Sequence, residues 1–124
     1  MNTSPPPDAF TIERHGDLTL IAASSLIETM DPDVEHQISG IILNCLRDQD
    51  SPLILFDLSE VNFFGSNFLA VLLKSWKQAN AVGGSMALCG VSDHARELLR
   101  VTSLDMLFPM YPTRHEGMEA LLSD

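Results

Sequence analysis

A chain of 124 residues, 45% hydrophobic and 19% charged, is long enough for one cored domain, short for two, and too apolar to stay unfolded. Its net charge of −10 makes phosphate backbones, and so nucleic acid, a poor partner. No apolar run approaches the roughly 20 residues of a membrane span, and the polar start carries no secretory signal, so a cytoplasmic protein with no membrane contact is expected.

Charge is uneven along the chain. Residues 1–60 hold 11 acidic and 2 basic side chains, and the remainder hold 6 and 5. The acidic half either steers a basic partner surface or serves solubility. Residues 1–9, with Pro5, Pro6 and Pro7 in a row, read as a flexible lead-in to a domain over 10–124.

From Phe10, apolar and polar residues alternate through Ile12 and Arg14 as in a half-buried strand. His15-Gly16-Asp17 turns the chain into a second strand at residues 18–23, which predicts an antiparallel hairpin. Asp31-Pro32 then opens a helix, Asp as cap and Pro in the first turn. Val34, Ile38, Ile41, Ile42 and Cys45 fall on its apolar face, and Asp50-Ser51-Pro52 ends the segment. Residues 53–56 are continuously apolar and end at Asp57, as a strand buried on both faces would.

A second helix follows a loop, with Leu69, Leu72, Leu73 and Trp76 inward and Lys74 and Lys77 outward, and Gly83-Gly84 closes it. Residues 86–89 form another buried strand, and 93–102 a short amphipathic helix. Residues 107–111 form a last strand, kept short or at an edge by Pro109. Residues 113–122 form a closing helix in which Glu116 follows Thr113 in a capping-box pattern. The order β-β-α-β-α-β-α-β-α predicts an α/β single domain: a mixed sheet with an N-terminal antiparallel hairpin and covering helices. Functional groups are expected at the carboxyl ends of the central strands. Cys45 and Cys89 both lie in apolar stretches and read as reduced core thiols.

The junction between the strand ending at Asp57 and the next helix carries the functional reading. Ser66 stands where that helix begins, an N-cap position whose free N–H groups and positive dipole end would also stabilise a phosphate on the hydroxyl. Such a phosphate adds about −1.5 to −2 charges. Phe63, Phe64 and Phe68 surround Ser66, a heavy aromatic load of which part must be core and part can anchor a partner.

The run over residues 53–72, L-I-L-F-D-L-S-E-V-N-F-F-G-S-N-F-L-A-V-L, resembles the signature of the STAS family. In that family an apolar strand leads to Asp-Leu, then Val-x-Phe, then Asp-Ser-Ser/Thr-Gly-Leu at a helix start. The similarity continues through Gly83-Gly84, Val91-Ser92, Leu104-Asp105 and Leu107-Phe108. It implies the STAS fold and the role of an anti-sigma factor antagonist. Such a protein binds an anti-sigma factor, often a serine kinase, which phosphorylates the serine after the family's Asp; a phosphatase reverses the step.

By position that serine is Ser66. Gly65 replaces the family's Asp, Asn67 the second hydroxyl residue and Phe68 the glycine, and Ser24-Ser25-Leu26 stands where a Gly-x-Leu-Asp is common. The implied docking face comprises Ser24, Ser25, Phe64, Gly65, Ser66, Asn67, Phe68, Ser92 and Asp93. A homodimer is one expected assembly state, and a scaffold subunit of a sensory or stress signalling assembly, with Ser66 unmodified, is the alternative function kept open.

Enzymatic readings find little support. A receiver domain would place its phosphoacceptor at Asp57, but Ala22-Ala23-Ser24 and Tyr111-Pro112-Thr113 offer neither its acidic pair nor its lysine; Asp57 is expected to bond N–H groups of its own loop. No phosphate-cradling glycine loop is present, the four histidines show no metal-ligand spacing, and Ser66 lacks the G-x-S-x-G setting of a hydrolase nucleophile. Neither a cofactor nor a metal is expected.

Overall fold

The computed structural model describes residues 9–29, 31–47 and 49–123. The lead-in assigned to residues 1–9 lies outside them except for Ala9, which is buried and accepts a hydrogen bond from Ser24 N–H at 2.9 Å.

Five strands, β1 (Phe10–His15), β2 (Leu18–Ala23), β3 (Leu53–Asp57), β4 (Ser85–Cys89) and β5 (Met110–Tyr111), form one sheet in sequential order. β1 and β2 are antiparallel and the other pairs are parallel. The helices are α1 (Pro32–Leu46), α2 (Ser66–Ala81), α3 (Asp93–Val101) and α4 (Arg114–Leu122).

Sequential order has a consequence. Right-handed crossovers that always step in the same direction across a sheet leave every crossover helix on one face. The main core accordingly joins Ile21, Ile54, Phe56 and Leu88 to Ile38 and Ile42 of α1, Phe68 and Leu72 of α2 and Leu99 of α3. The alternate strand residues Leu18, Leu20, Leu55, Ala87 and Cys89 point the other way and pack with Met118 and Leu121 of α4. Each fully buried Leu, Ile or Phe side chain contributes about 1.5–3 kcal/mol. Continuous apolar runs in β3 and β4 are therefore required, because both of their faces are covered.

The buried face of α1 departs from the expected stripe. Glu35, Ile38, Ser39, Ile42 and Leu46 are buried, whereas Ile41 and Cys45 are exposed. Cys45 is thus a surface thiol, and only Cys89 is a core thiol. Glu35 can turn inward because Lys74 of α2 meets its carboxylate at 3.1 Å, which rotates α1 towards α2. The final strand is also shorter than expected. Residues 107–109 stay outside it, and Pro109, with no N–H to give, contributes only its carbonyl to Leu88; a 3-10 turn over residues 104–106 precedes them. A second 3-10 turn, Ser25–Thr29, follows β2.

Candidate functional site

The parallel strands end together. Ala22, Asp57 and Cys89 are in register, so the segments leaving β2, β3 and β4 emerge along one edge of the sheet. A sheet wound in a single direction has no switch point to open a crevice between those segments. They form a raised surface instead. Beside it, a groove of about 270 Å³ runs between Leu26 and Ile27 of the 3-10 turn and Val34 and Ile38 of α1.

Loop residues 58–65 carry the centre of this surface. The loop begins with Leu58 N–H donating to Cys89 O at 2.9 Å and Ser59 N–H donating to Asp57 Oδ1 at 3.0 Å, the local role expected of Asp57. Val61 N–H then closes a turn onto Leu58 O at 3.0 Å. The loop ends at Gly65, the N-cap of α2, which has extended backbone and no side chain to cap with. Ser66 is therefore the first helical residue rather than the cap.

Its side chain is exposed, and among the described residues its hydroxyl has no hydrogen-bond partner. A group attached there would meet the positive end of a 16-residue helix. A Cβ on Gly65 would touch nothing within 4 Å, so a side chain at this position would be sterically unopposed.

The aromatic residues divide. Phe64 and Phe68 are 3% and 2% exposed, and their rings meet edge-on at 5.3 Å, with Phe68 in turn 6.2 Å from Phe56. These two side chains, expected on the docking face, belong to the core and hold the loop from beneath. The ring at the surface is that of Phe63, 42% exposed and 6.1 Å from the ring of His94. Sequence spacing alone could not separate the three phenylalanines, because adjacent loop residues follow no fixed period.

The flanking serines also differ in their use. Ser24 accepts from Leu26 N–H and donates to Ala9 O, shaping the start of the 3-10 turn. Ser25 is exposed. Ser92 caps α3 by accepting from Ala95 N–H at 3.1 Å and donates to Asn62 O at 2.6 Å. Asp93 is exposed in the first turn of α3, and Asn67 is half-buried in that of α2.

Below the surface, Asp57 meets Arg114 of α4. Arg114 Nε and Nη2 lie 2.9 and 2.7 Å from Oδ2, with 8% of the Asp57 side chain exposed. Burial alone would raise the carboxyl pKa. The Ser59 donors and the guanidinium more than offset this and hold it below its ordinary value. Cys89 beside it is pushed up to about 12, first by burial and then by the Asp57 charge, so it remains a thiol. No local pattern marks Arg114, because 57 residues separate it from Asp57.

The sequence and the fold have counterparts in other proteins. A STAS domain profile matches residues 2–117. The anti-sigma F factor antagonist of Paenibacillus polymyxa is 27% identical over 100 residues, covering 77% of this chain and 86% of that protein. Among solved structures, a STAS domain protein of Planctomyces limnophilus is 29% identical with a TM-score of 0.80, covering 90% of this chain and 96% of that one. An anti-sigma factor antagonist of Mycobacterium paratuberculosis is 26% identical with a TM-score of 0.75, covering 96% and 99%. With the profile spanning nearly the whole chain and the fold repeated in these structures, the protein belongs to the STAS domain family.

Proposed function

We propose that this protein is an anti-sigma factor antagonist that works by binding rather than by catalysis, docking an anti-sigma factor of the serine-kinase type through the surface around Ser66. The observation that carries the proposal is the Ser66 hydroxyl: exposed, unbonded among the described residues, at the first position of α2 and three residues from the exposed ring of Phe63. A hydroxyl already engaged as a cap would have to give up a hydrogen bond before accepting a phosphoryl group, and this one does not. The phosphate would gain from the helix dipole, so the fold tolerates it while the surface charge changes.

In this reading Ser66 is the phosphoacceptor, and a phosphatase restores the binding form. Ser25, Phe63, Gly65, Ser66, Asn67 and Asp93 offer the contact surface, while Ser24, Phe64, Phe68 and Ser92 shape it. Kinship with anti-sigma factor antagonists supports a cytoplasmic setting.

The test is to incubate the protein with the serine-kinase anti-sigma factor of its own genome and magnesium ATP, then map phosphate by mass spectrometry. Phosphate is expected on Ser66 and absent from Ser66→Ala. No phosphate, together with self-association by light scattering, would favour a scaffold subunit instead.

A further inference from the structure

The three segments at the carboxyl edge of the sheet meet on the backbone of one residue. Asn62 N–H donates to Glu28 Oε2 at 2.8 Å, and Asn62 O accepts from Ser92 Oγ at 2.6 Å. Glu28 lies in the 3-10 turn after β2, and Ser92 caps α3 after β4; they are 34 and 30 residues from Asn62. Asn62 is exposed. Water would satisfy an exposed peptide at no cost, so two side chains from separate loops are not needed for desolvation. What they add is position.

The loop is tied at its start by Leu58, Ser59 and Val61, and at its end by buried Phe64 and by Leu69 N–H to Gly65 O at 3.1 Å. Asn62 is the only point in this span at which the described hydrogen bonds reach the neighbouring loops. Phe63 follows it directly, and Ser66 comes four residues on.

Resting on the docking reading above, we infer that Glu28 and Ser92 are positioning residues that clamp the two peptide groups flanking the Asn62 Cα and so hold Phe63 and Ser66 in the orientation a partner reads. The clamp also couples the three segments. A partner that displaces the 3-10 turn or the start of α3 pulls on the same residue's backbone, which orients the phosphoacceptor loop. Neither Glu28 nor Ser92 need touch the partner to affect recognition.

Because Ser92 also caps α3, Glu28 is the cleaner position to test. Glu28→Ala removes the acceptor, whereas Glu28→Gln keeps an oxygen at the same reach without the charge. Hydrogen exchange on the free protein, read on millisecond-to-minute timescales, should show amides of residues 60–66 exchanging about tenfold faster in Glu28→Ala. Core amides of β3 and β4 should be unchanged, and Glu28→Gln should stay within about twofold of wild type. Binding of the anti-sigma kinase should weaken about tenfold in Glu28→Ala and recover in Glu28→Gln.

Unchanged loop exchange in Glu28→Ala, or equal loosening in both variants, would overturn the clamp. So would a loosened loop with unaltered binding. A wild-type protein that binds no anti-sigma factor would instead defeat the docking reading, and loop exchange would still decide whether the clamp exists.

Discussion

Arg114→Ala should lower stability by about 2 kcal/mol, or about 8 °C in melting temperature for a chain of this size. The expectation follows from where the charge would be left. Asp57 is nearly buried at the end of a central strand, and without Arg114 only the Ser59 donors would remain to offset burial. A fully buried pair would cost more to break; 44% exposure of the Arg114 side chain leaves room for water to compensate. Arg114 also stands at the first position of α4, where a cation opposes the helix dipole. Its presence there makes sense through Asp57, and its removal recovers a little of that opposing term.

The same variant changes the response to acid. In the wild type the folded Asp57 carboxyl titrates below its unfolded value of 3.8. Its stabilising contribution is therefore full above that value and disappears as pH falls through the lower, folded value. Without the guanidinium, only the Ser59 hydrogen bonds still oppose burial, and the folded pKa rises from its wild-type position. Acid unfolding followed by circular dichroism should begin at a higher pH in Arg114→Ala than in wild type. Identical acid midpoints would mean that the pair contributes nothing to folding.

Gly90→Ala should be at least as damaging, at about 2–4 kcal/mol. Gly90 has φ of +67°, a conformation costly for any residue with a Cβ. A Cβ there would also lie 2.8 Å from Ser59 Cβ and 2.9 Å from Ser59 Cα, which is backbone that cannot simply swing aside. Since Ser59 begins the loop carrying Ser66, the damage should reach recognition as well as stability. The control is Gly40→Ala on the exposed face of α1, where a Cβ meets nothing within 4 Å and the helix gains about 0.5–1 kcal/mol. Chemical denaturation of the two variants should move in opposite directions. A neutral Gly90→Ala would show that the Gly90–Ser59 approach is not tight.

The elements that the sequence made legible are those governed by short-range rules. Asp31, Ser92 and Thr113 accept from the N–H three residues on, as cap spacing requires. Runs such as residues 53–56 announce strands covered on both faces. Structure and sequence pattern part where polar residues enter the core or where contacts are remote. The apolar stripe of α1 does not mark its buried face, because Glu35 and Ser39, which no apolar pattern selects, are buried. Serine prefers the cap position, yet Gly65 rather than Ser66 occupies it. Nearness to Ser66 suggests Phe64 and Phe68 for the docking face, whereas they form an aromatic chain with Phe56 beneath it. Glu28, Asn62 and Arg114 carried no local signal, since their partners lie 30 or more residues away.

Docking of an anti-sigma factor at the surface around Ser66, and its release by negative charge there, can be read in a single calorimetric titration of the cognate anti-sigma kinase run in parallel on wild type and Ser66→Asp. Wild type should bind saturably, and Ser66→Asp should bind at least about tenfold more weakly at an unaltered melting temperature. Equal affinity of the two proteins, or a melting temperature that falls with the substitution, would rule this role out.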